Sequence, residues 1–73
     1  MQRVIVMPAS VGWSVSTASL DSELIFKSGA RAEAGAKRLA TALAASGEAV
    51  EVEIHLRDGS VGGRFVCYPE MPA

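Results

Sequence analysis

His55 and Cys67 are the only histidine and the only cysteine of the chain, and with Glu51, Glu53 and Arg57 they are its best candidates for chemistry. A nucleophilic thiol needs a base at hydrogen-bonding distance and donors for a developing oxyanion. Asp58-Gly59 reads as the turn of a hairpin joining the two segments that carry His55 and Cys67. Pairing about that turn opposes residues whose numbers sum to about 117, which sets His55 near Gly62 and Cys67 near Val50. The register therefore argues against a Cys-His dyad, and Cys67 reads as a packing residue. Glu51, Glu53 and His55 alternate on one face of a strand, about 7 Å apart. That spacing supplies only part of the coordination shell that a metal needs. His55 accordingly reads as a structural or exposed imidazole, with a ligand or a pH-responsive interface group as the alternative. Gly62-Gly63 lacks the Gly-x-x-x-x-Gly-Lys spacing of a phosphate loop, and Ser10, Ser14 and Ser16 lack a Gly-x-Ser-x-Gly elbow. The expectation is a protein without catalytic residues, metal or cofactor.

The elements that position these residues are read from periodicity. Val50 to Arg57 alternates strictly, with Val50, Val52, Ile54 and Leu56 on one side and Glu51, Glu53, His55 and Arg57 on the other. This is the pattern of a half-buried strand. Val4, Ile5 and Val6 form a β-branched run that stops at Met7-Pro8, because proline cannot donate to a ladder. Val11, Trp13, Val15 and Thr17 share a parity against Ser14 and Ser16, which predicts a second strand over 11–17 hairpinned to the first. Glu23 to Lys27 predicts a short third strand, with Leu24 and Phe26 facing one way and Ile25 the other. Between Ser28 and Gly47 the period lengthens to about 3.6, with Ala32, Ala36, Leu39, Ala40 and Leu43 on one stripe. Ser28 is the predicted N-cap and Gly47 the predicted stop. Val61 to Tyr68 predicts a fifth strand, in which Gly62-Gly63 suggests a bulge or a close backbone approach. The order β-β-β-α-β-β predicts an α+β fold, an antiparallel sheet with one helix packed on one face. It forms a single domain over 1–73, with 69–73 as a frayed tail.

Size and charge narrow the function. A chain of 73 residues holds one thin core, with a net stability of about 4 to 11 kcal/mol. Seven bases against eight acids give a net charge of −1, which offers no electrostatic reason to bind nucleic acid or an anionic membrane. No apolar run approaches the roughly 18 residues of a membrane span, and the four apolar residues after Arg3 are too few for a secretory signal. A lone cysteine cannot form an internal disulfide, so a cytoplasmic location is expected.

Several of these segments resemble a family of small bacterial proteins known only as a domain of unknown function. The likeness is carried by Val4 to Pro8, Gly12-Trp13-Ser14-Val15, Phe26, Glu33-Ala34, Leu39-Ala40 and Arg57-Asp58-Gly59, and it would cover residues 3 to 61. The helix departs from the family at its start, where Ser-Gly-Ala-Arg stands for the usual Thr and acidic residue. The fifth strand is also longer and more apolar. The resemblance implies the same αβ fold and brings no activity, cofactor or catalytic residue.

One helix covers one face of such a sheet, so the other face is open, and in a monomer it should be polar. Here Glu51, Glu53, His55 and Arg57 would share it with Ile5, Met7 and Ile25, and with either Val66 and Tyr68 or Phe65 and Cys67. Apolar groups beside charged ones are the mark of an interface. The expectation is a protein-interaction or self-associating module, a homodimer or an adaptor for an unidentified protein partner, acting through this face or an edge strand. A nucleic-acid-binding module is the alternative. Trp13 reads as a core plug from its parity, with an exposed binding residue as its alternative.

Overall fold

The structure, a computed structural model, describes residues 1–69. The tail expected to fray lies, from residue 70 on, outside the described residues. The elements are β1 (Gln2–Pro8), β2 (Trp13–Thr17), β3 (Leu24–Phe26), α1 (Gly29–Ala44), β4 (Val50–His55) and β5 (Val61–Cys67). They build the expected α+β fold, a five-stranded sheet of order β3-β2-β1-β4-β5 with α1 on one face. The sheet is mostly antiparallel, and its central pair, β1 with β4, is parallel.

That parallel pair follows from the length of the helix. Strands β1 to β3 form a meander, so β3 ends at the same side of the sheet as β1. The 16 residues of α1 carry the chain back by about 24 Å, roughly the height of a seven-residue strand. β4 must then start where β1 starts and run alongside it, with Gln2 opposite Val50 and Val6 opposite Ile54.

Ser28 caps the helix as expected, its Oγ accepting from the Arg31 N–H at 3.1 Å. The chain leaves the helix after Ala44, with the Gly47 N–H donating to the Ala44 carbonyl at 2.9 Å. Ala32, Ala36, Ala40 and Ala44 form the buried stripe, and Leu39 and Leu43 flank it half-buried. Because these side chains end at a methyl group, α1 rides close to the sheet. The bulk of the core comes from Val4, Val6, Val15, Val50 and Val52, with Trp13, Phe26, Ile54, Phe65 and Cys67 packed around them. Phe26 lies against Gly35, where a β-carbon would run into its ring.

Three strands are shorter than their patterns. Val11 does not join β2: it is 80 % exposed in the four-residue loop between Pro8 and Trp13. Its alternation is cut off because the loop turns at Gly12, which has φ +80. The Ala9 N–H donates to the Gly12 carbonyl at 3.0 Å across this loop. β3 is three residues long, and β4 ends at His55 rather than Arg57. β5 carries an extra residue at Gly62, where the register passes from Ile54 opposite Gly63 to His55 opposite Val61. The Leu56 side chain covers that glycine, with Cδ2 only 2.6 Å from where a β-carbon would stand. The bulge ends regular pairing, and Leu56 and Arg57 enter the turn.

Gly12 and Gly59 separate two costs. Both have positive φ, but a β-carbon on Gly12 would also run into the Phe26 carbonyl oxygen, while nothing lies near one on Gly59. Gly59→Ala should lose about 1 kcal/mol from backbone strain alone. Gly12→Ala should lose at least about 2 kcal/mol, read as the difference in urea unfolding free energy.

Candidate interaction surface

Strand pairing fixes which residues reach the face that α1 leaves open. One row across it reads Ile25, Ser14, Met7, a second Ser16, Ile5, Glu53, Arg64, and a third Arg3, Glu51, Val66. The face divides in two. Over β1, β2 and β3 it is apolar, with Ile25 56 % and Met7 41 % exposed, Ile5 half-buried, and two serines between them. Ser14 is buried under these neighbours, and its hydroxyl donates to the Met7 carbonyl at 3.4 Å. Over β4 and β5, with Arg3 from β1, the face is ionic.

Glu53 is the hub of the ionic half. His55 Nε2 lies 2.8 Å from its Oε1, Arg64 Nη2 3.4 Å from its Oε2, and Arg3 Nε 3.8 Å from the same oxygen. Arg3 Nε also donates to Glu51 Oε1 at 3.2 Å, and Arg64 Nε stands 3.9 Å from that atom. The hydrogen bond with His55 holds the Glu53 carboxyl below its usual range, opposed by partial desolvation and helped by the charges of Arg64 and Arg3. Each arginine thus touches both glutamates, and the two pairs of charges cancel on the surface. Lone exposed ion pairs contribute little to stability, but a shared network fixes the side chains that a partner would meet.

Ile5, Met7, Ile25, Glu51, Glu53 and His55 therefore lie together as expected. Arg57 does not join them, and this corrects the expectation. It sits in the turn after β4, where its guanidinium lies 5.7 Å from the centroid of the Trp13 ring. Trp13 packs on the core with its other surroundings, and Gly29 lies against the ring, a β-carbon there standing 3.3 Å from Cε2. The turn that diverts Arg57 is closed by Leu56 N–H to Ser60 carbonyl at 2.8 Å and Gly59 N–H to Leu56 carbonyl at 3.0 Å. Asp58 Oδ1 accepts from the Ser60 hydroxyl at 2.6 Å and the Ser60 N–H at 2.9 Å, and these bonds hold its carboxyl below the usual range.

Arg3 and Arg64 also belong to the face, beyond the residues expected there. Arg3 shares its parity with Ile5 and Met7, and Arg64 stands opposite Glu53 about the Asp-Gly turn. Val66 joins the open face, while Phe65 and Cys67 pack toward the helix, so that alternative is settled in favour of Val66. Cys67 lies opposite Val50, and His55 lies opposite Val61. Among the described residues, no three of His, Cys, Asp and Glu gather as metal ligands, and no helix is long and apolar enough to cross a membrane. No protein-family model, curated protein or solved structure matches the chain.

Because Glu53 is held below its ordinary value of 4.5, its partners favour the folded state when it is ionised. That contribution is complete above pH 4.5 and lost as pH falls through the lower folded value. A plot of melting temperature against pH should fall on the acid side of 4.5 and be flatter there for Glu53→Gln, measured by circular dichroism.

Proposed function

We propose that this chain is a non-enzymatic association module that meets a protein partner, a second copy of itself first of all, through its open sheet face. The observation that carries the reading is the contiguity of Ile25, Met7 and Ile5 with the Glu51-Glu53-His55-Arg3-Arg64 network on a surface that no element of the described residues covers. Apolar centre beside fixed polar groups is the composition of an interface rather than of a purely solvated surface. Two arginines balance two glutamates there, so two copies approach without net repulsion.

The nucleic-acid reading draws less support, because Arg3 and Arg64, the cations of this face, are both engaged by glutamates. An enzyme reading built on a Cys-His pair draws less support, because His55 lies opposite Val61 and Cys67 opposite Val50. A thiol with no disulfide partner suits the cytoplasmic location expected from the sequence.

Sedimentation velocity at micromolar concentration tests the reading. The wild type should sediment as an assembly, and Met7→Lys with Ile25→Lys should halve its mass while leaving the circular dichroism unchanged. A wild type that is strictly monomeric removes self-association.

A further inference from the structure

The open face is not the only unpaired surface. Among the described residues β5 is the last strand of the sheet, with β4 as its neighbour on one side and no strand on the other. The direction of its backbone groups follows from the central parallel pair. The Gln2 N–H donates to the Ala49 carbonyl at 3.2 Å, so from Ala49 onward the odd-numbered residues turn their backbone groups toward β1. The even-numbered residues Val50 and Val52 turn theirs toward β5, where they meet Cys67 and Phe65. Arg64 and Val66 therefore direct their N–H and C=O groups away from the sheet.

Natural edges are blunted by short strands, proline, lysine or a covering element. The opposite edge, β3, is blunted by its three residues. β5 spans seven residues with no proline or lysine, and α1 lies mainly over β1 and β4 and only grazes it. Along that margin, α1 and β5 enclose a groove of about 420 Å³ lined by Ala30, Glu33, Ala34, Lys37 and Phe65. An unpaired ladder beside an apolar groove is the pair of features used in recognition by strand addition.

We infer that β5 pairs antiparallel with β5 of a second copy, joining two sheets edge to edge into one of ten strands. A two-fold axis normal to the sheet allows only registers in which one residue faces its own copy. Centring it on Arg64 would oppose like charges. Centring it on Phe65 sets Arg64 opposite the partner's Val66, so that the outward N–H and C=O groups of both are exchanged. Phe65 and the partner's Phe65 then form a close, non-hydrogen-bonded pair over the groove. Glu33 and Lys37 stand one helical turn apart on the groove wall beside Phe65. The two-fold brings Glu33 toward the partner's Lys37 and Lys37 toward the partner's Glu33, so the charges of the groove complement a second copy. This contact leaves the open face free and goes beyond the face-directed association proposed above, with which it combines.

Val66→Pro removes an outward N–H without touching the β4–β5 ladder, a place where proline is tolerated. With both contacts in use, the wild type should sediment as four chains or more, Val66→Pro as two, Met7→Lys with Ile25→Lys as two, and the triple variant as one. Val66→Pro at the wild-type mass overturns the edge inference and leaves the face reading standing. Met7→Lys with Ile25→Lys at the wild-type mass, while Val66→Pro halves it, does the reverse. A monomeric wild type overturns both. A second measurement is independent of proline. In the Met7→Lys, Ile25→Lys, Cys67→Ser background, an equal mixture of Arg64→Cys and Val66→Cys chains should oxidise to a disulfide-linked dimer severalfold more than either alone. Equal yields overturn the inference.

Discussion

The close seating of α1 on the sheet is the constraint from which the rest of the molecule follows. Four alanines spaced by four residues put only methyl groups along the centre line between the helix and the valines of β1, β2 and β4. Two results follow. The core is one side chain thick and filled from the strands, and its stability rests on small, well-packed groups with little room to relax. A helix about 10 Å across also spans only some two strands set about 4.8 Å apart, so a five-stranded sheet extends past it. The covered centre, the thinly covered margin at β5 and the bare opposite face are consequences of that one geometry.

On the bare face, the division between apolar and ionic halves is set by strand order. β1 lies between β2 and β4, so its own residues straddle the boundary: Met7 and Ile5 face serines on one side, while Arg3 reaches Glu51 on the other. Glu53 can be ionised and only 12 % exposed because His55 and Arg64 hydrogen-bond it and the Arg3 charge lies 3.8 Å away. A carboxylate so placed contributes shape as well as charge, holding His55 and Arg64 in defined positions across two strands.

Much of this was legible in the chain because it is local. The alternation from Val50, the Ser28 cap, the helix period and the Asp-Gly turn each act over a few residues, and the sum rule about that turn holds from Val50 to Ile54. What was not legible is non-local. Arg3 and Glu51 are 48 residues apart, and only the return of α1 makes their strands parallel neighbours. Arg57 and Val11 had the right parity and lost it to local breaks, the Gly62 bulge beside one and the Gly12 turn beside the other. Alternation records what a strand would bury and leaves open where pairing stops. The partial burial of Trp13 was legible in kind, but the guanidinium over its ring depends on the turn having diverted Arg57.

The inequality of the two sheet edges has a consequence for growth. A sheet with two equally good margins is the repeating unit of a filament, since each addition recreates the surface that received it. Here one margin runs for seven residues and the other for three. Whatever strand joins at β5, the far end presents too little ladder to admit the next. The brevity of β3 therefore acts as a terminator of the sheet itself: a ladder that two equal margins would extend without limit stops after one edge-to-edge joining.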